Sequence, residues 1–301
     1  MQSAAKTAGG LALASVMANR SFGAETFTPR VAAFSKVYQE LKLSFDDAAA
    51  VTAEAGLDGI DCPVREGGEI TPQHAADEMP RYAEALRRRG VGMLLLTTGI
   101  LGVSSPHARD ILQTAKLLGI RYYRLGYWSH RPDRPADKLV EQARASLREL
   151  AAMNRELGVC GVYQNHSAPT NRERRNVGCD LAELYDLVKD FNPDQIGVAF
   201  DLGHAIIEHG DRWREHFERL RPHIRVVYVK DVRRPSRFVP FGQGEFGDTG
   251  FFRLLAKMNY RAPISMHIEY DWAGKGPKTR DLLVKTLKDN RQVLGRWLAD
   301  V

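Results

Sequence analysis

Short apolar runs alternate with longer amphipathic segments along almost the whole chain after residue 30. Eight of these runs have the length and composition of buried strands: residues 31–35, 59–64, 91–98, 120–127, 159–163, 196–200, 224–229 and 264–268. Strands that alternate with helical segments pair in parallel, and eight repeats in about 270 residues match the size of a (β/α)8 barrel. We therefore predict an α/β fold, a (β/α)8 TIM barrel that forms a single domain over residues 25–301.

A doubly wound open sheet is the alternative α/β architecture for a chain of this length. Such folds usually carry a glycine-rich phosphate-binding loop directly after the first strand. The corresponding stretch here is Ser35-Lys-Val-Tyr-Gln39, which contains no glycine. The sequence therefore favours the closed barrel.

The first 24 residues differ in composition from the rest of the chain. Lys6 precedes an apolar stretch of small residues, 7–18, and the first acidic residue is Glu25. Such a stretch is typical of a secretory signal, is too short to cross a bilayer, and is similar to the latter part of a twin-arginine export signal. A disordered N-terminal tail is the alternative. We expect a periplasmic or otherwise exported protein without a transmembrane span, and a cytoplasmic one if residues 1–24 are not a signal.

Charge and cysteine content restrict the expected partners. The formal net charge is +6, but acidic and basic residues alternate along most helical segments, as they do on solvated helix faces. No basic stripe interleaved with aromatic residues accompanies this charge, so we predict no nucleic-acid binding. Cys62, Cys160 and Cys179 are far apart, which argues against a disulfide framework and against a zinc-finger site. The expected partner is a small molecule, and the chain could also form homo-oligomers.

The stretch from Ile196 to Ala205 indicates where chemistry takes place. An apolar run buried on both faces ends in Asp201, and His204 follows three residues later. In a (β/α)8 barrel the carboxyl ends of the strands form one face, and active sites are built there. The other strands deliver further side chains to this face: Tyr127 and Trp128 after the fourth, Gln164, Asn165 and His166 after the fifth, Lys230 and Asp231 after the seventh, and His267 and Glu269 after the eighth.

Three of these side chains can converge on a metal ion. Gln164, Asp201 and Glu269 follow strands five, six and eight, so their oxygen atoms can point into one pocket. Oxygen ligands suit a hard divalent cation such as Mn²⁺ or Mg²⁺, and the nearby histidines are also compatible with Zn²⁺ or Co²⁺. Structural roles are the alternative, because a carboxylate can cap the next helix and Lys230 can pair with Asp231.

Five segments carry a resemblance to a known family. They are Tyr163-Gln-Asn-His166, Phe200-Asp-Leu-Gly-His204, Val229-Lys-Asp231, Pro240-Phe-Gly-Gln-Gly244 and Ser265-Met-His-Ile-Glu269. In this order they resemble the xylose isomerase-like TIM barrels that include sugar phosphate isomerases and epimerases. The resemblance covers essentially everything after residue 30 and implies the same fold and a carbohydrate substrate.

The resemblance also implies one divalent metal ion, held by a strand-five Glu, a strand-six Asp, a strand-seven His and a strand-eight Glu. Asp201 and Glu269 match two of these ligands, and His204 matches the histidine that commonly follows the Asp. Two positions depart from the pattern: Gln164 stands where many members have Glu, and Tyr228 stands where the His is expected. A glutamine oxygen can ligate a metal, but it cannot act as a general base near neutral pH.

Taken with the resemblance, the sequence predicts a carbohydrate or polyol isomerase or epimerase that acts by metal-assisted proton transfer next to a carbonyl. The predicted metal ligands are Gln164, Asp201 and Glu269. The predicted catalytic residues are Glu269, His204, Lys230 and His166. Among them, Lys230 could polarise a carbonyl or donate a proton if burial lowers its pKa. The predicted substrate contacts are Asn165, His267, Tyr127, Trp128 and Asp231.

Two alternatives remain open from the sequence. The same residues would serve a lyase or dehydratase acting on a 3-keto sugar or an inosose. A sugar-binding barrel without catalysis would also account for the absence of Glu at position 164 and of His at position 228.

Overall fold

The computed structural model describes residues 27–301, and its strands confirm the predicted closed barrel. The strands are β1 (Val31–Phe34), β2 (Gly59–Val64), β3 (Gly92–Thr98), β4 (Tyr122–Arg124), β5 (Cys160–Gln164), β6 (Ile196–Asp201), β7 (Ile224–Val229), β8 (Asp231–Arg233), β9 (Arg237–Val239) and β10 (Ile264–Met266). All except β8 and β9 form the parallel barrel, which closes where β10 pairs with β1. The signal or tail predicted over residues 1–24 lies outside the described residues.

Helices connect the barrel strands on the outside. They are α1 (Lys36–Gln39), α2 (Phe45–Glu54), α3 (Ala75–Arg88), α4 (Ala108–Leu117), α5 (Ala136–Leu157), α6 (Leu181–Val188), α7 (Leu202–His209), α8 (Trp213–Leu220), α9 (Phe251–Lys257) and α10 (Arg280–Ala299). Within residues 27–301, none of these helices combines the length and the apolar character that a membrane crossing requires.

Local sequence signals explain several helix ends. The Ser44 side chain accepts a hydrogen bond from the Asp47 N–H at 3.2 Å and so caps α2. Asp180 caps α6 in the same way, through the Ala182 N–H at 2.8 Å. Gly158 ends α5 with φ at +72°, a left-handed conformation that glycine adopts without strain. Each of these helix ends is set by a residue type that favours it locally.

Two elements near the site were not predicted. Helix α7 begins at Leu202, directly after β6, where the sequence indicated a loop. The Asp201 side chain causes this early start, because its Oδ1 accepts a hydrogen bond from the His204 N–H at 3.2 Å. The second element is the antiparallel hairpin of β8 and β9, which follows β7 immediately. His204 therefore lies in the first turn of a helix, over the end of its own strand.

The barrel interior is apolar in its lower part and polar at the strand ends. The apolar cluster inside the barrel includes Ala32, Leu95, Val162, Ala199, Val226 and Tyr228, all almost completely buried. The apolar residues between strands and helices form a second, larger core. The strands are short, so the side chains that point into the barrel change from apolar to polar within a few residues along each strand.

Candidate active site

The barrel mouth, the face formed by the carboxyl ends of the eight barrel strands, holds most of the predicted site residues. Alternate side chains of a strand point to the same side, so Gln164 ends the inward row of β5 and Asp201 ends that of β6. Lys230 directly follows β7, and Glu269 lies three residues beyond β10. The first three side chains are buried, whereas the side chain of Glu269 is 28% exposed.

Lys230 lies at the centre of this group. Its Nζ is 3.1 Å from Oδ2 of Asp201 and 3.1 Å from Nε2 of His204. A third, longer contact of 3.5 Å joins Nζ to Oε1 of Glu269. The ring of Phe238 covers the ammonium group, with its centroid 5.3 Å from Nζ. We call the four residues Lys230, Asp201, His204 and Glu269 the Lys230 cluster.

The charges of the Lys230 cluster stabilise one another. Burial by itself would lower the pKa of Lys230, but the carboxylates of Asp201 and Glu269 outweigh burial, and the pKa is raised. In return, the charge of Lys230 holds the pKa of Glu269 far below its usual range, against the opposing effect of burial. The condition stated for proton donation by Lys230, a pKa lowered by burial, is therefore not met. At neutral pH Lys230 is a hydrogen-bond donor and a cation, and it is not a base.

The predicted metal ligands are engaged with hydrogen-bond donors instead. Gln164 turns its amide nitrogen towards Asp201, with Nε2 2.8 Å from Oδ2. Its carbonyl oxygen accepts a hydrogen bond from the hydroxyl of Tyr127 at 2.5 Å. Oδ2 of Asp201 thus receives hydrogens from both Gln164 and Lys230, and both amide atoms of Gln164 have partners.

This arrangement does not fit a divalent metal ion. Such an ion binds its oxygen ligands at 2.0–2.6 Å, so between Asp201 and Glu269 it would take the space of the Lys230 ammonium group. An ammonium group held beside the ion would also repel it. Within residues 27–301, no three His, Cys, Asp or Glu side chains are grouped so that they could hold a metal. The buried cation between the two carboxylates is Lys230.

Two histidines lie against each other beside Lys230, with ring centroids 3.8 Å apart. An ammonium group only donates, so Nε2 of His204 accepts from Lys230, and Nδ1–H donates to Oγ of Ser167 at 2.9 Å. Burial and then the charge of Lys230 lower the pKa of His204 well below its ordinary value. His204 is therefore neutral, and both of its nitrogens are occupied.

His166 has one free nitrogen. Its Nδ1 lies 2.9 Å from the Ser167 carbonyl oxygen, which only accepts, so Nδ1 carries the hydrogen and Nε2 is unprotonated. Burial lowers the pKa of His166, which keeps the ring neutral near pH 7. No hydrogen bond from any residue between 27 and 301 occupies Nε2. Of the predicted proton carriers, His166 is the one with an available base.

His267 lies below the cluster, inside the barrel. Its ring is held between Phe34 and Tyr228, each with its centroid 4.6 Å away. Burial lowers the pKa of His267, and its Nδ1 is 3.5 Å from Oε1 of Glu269. Tyr228, which stands in place of the expected strand-seven histidine, therefore packs against His267 and leaves the strand-seven position without a nitrogen ligand.

Three predicted substrate contacts, Asn165, Asp231 and Trp128, make hydrogen bonds or ring contacts within the protein. Asn165 bonds both main-chain groups of Asp201 at 2.8 Å and so joins the ends of β5 and β6. Asp231 accepts four main-chain N–H groups, those of Val232, Gly242, Gly244 and Phe246. The predicted alternative pair of Lys230 with Asp231 is thus not formed. Trp128 stacks on Tyr163 at 5.7 Å between ring centroids.

The sequence-based reasoning missed three side chains at the mouth. Ser167 orients both histidines and has no signal beyond its position after His166. Arg124 is almost completely buried at the end of β4, and Arg65 follows β2 directly. A charged residue within the apolar run 120–127 was the available signal for Arg124.

Three solved structures share the fold at low sequence identity. A 3-keto-D-glucoside 4-epimerase from Escherichia coli is 14% identical, with a TM-score of 0.66 and coverage of 88% of this chain and 100% of the other. A probable 3-DHS dehydratase from Bacillus anthracis is 12% identical, with a TM-score of 0.62 and coverage of 86% and 97%. A xylose isomerase-like TIM barrel protein from Mycobacterium smegmatis, in complex with magnesium, is 15% identical, with a TM-score of 0.65 and coverage of 90% and 98%.

The sequence itself supports a more specific assignment than the fold. No curated protein sequence matches the chain significantly. The profile of one family, described as xylose isomerase-like TIM barrel, matches residues 49–289, which is well over half of the chain. That match agrees with the closed barrel and with the polar strand ends. The chain therefore belongs to the xylose isomerase-like TIM barrel family.

Proposed function

We propose that the chain is a carbohydrate isomerase or epimerase that moves a proton next to a carbonyl group, with the Lys230 ammonium group in the role of electrophile. The observation that carries the proposal is the position of Lys230, a fully buried cation 3.1 Å from Asp201 at the barrel mouth. Family membership and the epimerases among structures of the same fold support the reaction class.

Lys230 can polarise a substrate carbonyl because one of its contacts is replaceable. The contact with Glu269 is the longest of the three, at 3.5 Å, and Glu269 is also the member of the cluster that faces solvent. A carbonyl oxygen that replaced this contact would accept a hydrogen bond from a cation in a buried site. Negative charge that develops on that oxygen is stabilised there far more than in water. Asp201 and His204 keep the ammonium group in place.

His166 is the proposed base. Its free Nε2 removes the proton from the carbon next to the carbonyl, the C–H electron pair forms the enediolate double bond, and the carbonyl oxygen gains the negative charge. Protonation of the same carbon on its opposite face, by a water molecule at the mouth, gives an epimer, and His166 then loses its proton to solvent. Delivery of the proton from His166 to the neighbouring carbon, with the hydroxyl proton moving from one enediolate oxygen to the other, gives an isomer. In the absence of substrate, Lys230 lowers the pKa of Glu269 and makes its carboxylate a weak base. His166 has an unprotonated nitrogen without a partner among the described residues in either case.

The family implies a divalent metal for such chemistry, and no step here is assigned to one because the donor set does not fit it. The direct test is proton exchange. Protein treated with EDTA is incubated in D₂O with a panel of aldoses, ketoses, 3-keto sugars and inososes, and the loss of the proton signal next to the carbonyl is followed by NMR. We expect exchange without added metal, and none in Lys230→Met. Exchange that appears only after Mn²⁺ is added, or that survives Lys230→Met, would contradict the proposal.

A lyase or dehydratase is the second candidate. Elimination from a 3-keto sugar or inosose begins with the same enediolate, and one structure of the same fold is a probable dehydratase. The NMR experiment separates the two, since elimination produces an olefinic signal and isomerisation does not. Binding of sugars without exchange or elimination would instead identify a sugar-binding barrel. Export of the protein, predicted from residues 1–24, stays a prediction.

A further inference from the structure

Two arginines at the barrel mouth carry charges that the chain does not neutralise. Arg65 and Arg124 line one cavity of about 420 Å³, together with Thr98, Gly126 and Tyr127. Within residues 27–301, neither guanidinium group lies within 4.0 Å of a carboxylate. Arg124 is buried and Arg65 is half-buried. An unpaired charge that is shielded from water is costly, so two such groups in one cavity point to a partner that arrives from outside.

Arg124 is held by main-chain groups alone. The residue is only 4% exposed, and its Nη1 donates to the Leu125 carbonyl oxygen at 2.8 Å. A weaker contact of 3.4 Å joins its Nη2 to the Thr98 carbonyl oxygen. Its guanidinium carbon lies 4.7 Å from the centroid of the Tyr127 ring. These contacts fix the plane of the group and neutralise none of its charge.

Arg65 is presented by a tight turn. Its N–H donates to the Ile70 carbonyl oxygen at 3.0 Å, and its own carbonyl oxygen accepts from the Gly68 N–H at 2.8 Å. A Cβ atom at Gly68 would lie 2.4 Å from the Pro63 carbonyl oxygen, so this position of the turn accepts only glycine. The Nε of Arg65 is buried and has no hydrogen-bond partner among the described residues. Burial and the neighbouring charge of Arg124 lower the pKa of Arg65.

Three acidic residues lie near the arginines without pairing with them. Glu269 attracts Arg65, but its carboxylate contacts Lys230. Asp61 attracts both from a distance, but its oxygens accept hydrogen bonds from Thr97 and Ser265 at 2.9 and 2.8 Å. Glu66 lines the outer part of the same cavity and is exposed to solvent. The cavity therefore keeps a net positive lining.

Tyr127 connects this cavity to the Lys230 cluster. Its ring lies over Arg124, and its hydroxyl donates to Gln164, which in turn donates to Asp201. Tyr127 thus contacts Arg124 through its ring and Gln164 through its hydroxyl. Arg65 is also near enough to Glu269 for their charges to attract each other, so the cavity lies next to the Lys230 cluster. The volume of the cavity is in the range of small-ligand sites.

We propose that Arg65 and Arg124 bind an anionic oxygen group of the substrate, so that the substrate is a carbohydrate bearing a carboxylate or a phosphate. The inference rests on the proposed function, because it places the carbonyl of the same molecule at Lys230. Guanidinium groups are suited to this role, since their paired N–H donors match carboxylate and phosphate oxygens and retain their charge at any physiological pH.

Calorimetric titration of the full chain tests the inference, with D-glucose, D-glucuronate, D-gluconate and D-glucose 6-phosphate as probes. We expect at least one anionic sugar to bind at least tenfold more tightly than D-glucose, and more weakly as salt is added. Preference for glucuronate or gluconate identifies a carboxylate, and preference for glucose 6-phosphate identifies a phosphate. In Arg65→Gln the preference should fall at least tenfold, whereas Arg65→Lys should keep part of it. The matched control is Arg81→Gln, which removes an exposed arginine on α3 and should change nothing.

Two outcomes would overturn the inference. One is equal binding of neutral and anionic sugars, and the other is an anionic preference that Arg65→Gln leaves intact. Failure of the proposed function looks different: anionic sugars would bind through Arg65, but the exchange experiment in D₂O would show no loss of protons. Exchange that is equally fast with neutral and anionic sugars would support the proposed function and contradict the anion-binding site.

Discussion

Replacement of Lys230 by methionine tests the electrostatic centre of the site without opening a cavity, because the two side chains have similar length. The change leaves the fully buried carboxylate of Asp201 without its cation. Removing one partner of a buried ion pair costs about 3–5 kcal/mol. Asp201 keeps two donors, the Gln164 amide at 2.8 Å and the His204 N–H at 3.2 Å, so the lower end of that range applies. We expect a loss of about 3 kcal/mol in the free energy of unfolding at pH 7.

The pH dependence of this loss follows from Glu269. In the wild type Lys230 lowers the pKa of Glu269, so this carboxylate contributes stability above its ordinary pKa of 4.5, and the contribution is lost as the pH falls towards the folded value. In Lys230→Met the largest of the lowering causes is gone, while burial and the smaller lowering effect of His267 remain, so Glu269 takes up its proton at higher pH than in the wild type. The difference in stability between variant and wild type should therefore be largest near pH 7 and shrink below about pH 4.5.

Urea unfolding measures this difference. With a slope of about 3 kcal/mol per molar urea, a loss of 3 kcal/mol lowers the midpoint by about 1 M. Lys285→Met is the matched control, since Lys285 also pairs with a carboxylate, that of Asp289, but its side chain is 70% exposed. Exposed pairs contribute about 0.2–1 kcal/mol, so the control should hardly move the midpoint. A similar small shift for both variants would refute the burial of the Lys230 charge between carboxylates.

Three further variants address the base, the loop after β9 and a buried carboxyl group. His166→Asn should lower the rate of proton exchange at least about 100-fold with little effect on unfolding, as expected for loss of a general base; an unchanged rate would remove His166 from that role. Asp231→Asn replaces a carboxylate that accepts four N–H groups, so the urea midpoint should correspond to a loss of about 2 kcal/mol; an unchanged midpoint would show that the loop does not depend on it. Burial raises the pKa of Glu69 to about 7, so the wild type should lose roughly 2–3 kcal/mol of stability between pH 5 and pH 8 that Glu69→Gln does not lose. Equal pH dependence of the two proteins would contradict that pKa.

The sequence by itself determined the barrel and the strands that carry the chemistry. The pattern of apolar runs predicted β2 and β7 with their observed bounds, because a strand buried on both faces has few polar interruptions. Asp201 and Gln164 were predicted at the mouth for the same reason, since they are polar residues at the ends of buried runs. The helix cap at Ser44 follows from local hydrogen bonding and needs no tertiary contact.

Only the tertiary structure decided how these residues are paired. Spacing along the chain left open a pair of Lys230 with Asp231, its neighbour. The pleat of the barrel turns Lys230 inward to Asp201 and leaves Asp231 to the loop. The same geometry orients Gln164 as a donor to Asp201, which removes it as a metal ligand. Ion-pair partners and the direction of an amide depend on atoms brought together from distant strands. The pKa values of Lys230 and Glu269 depend on the burial that these strands create. Neither the pairing nor the pKa values are encoded in any short stretch of sequence.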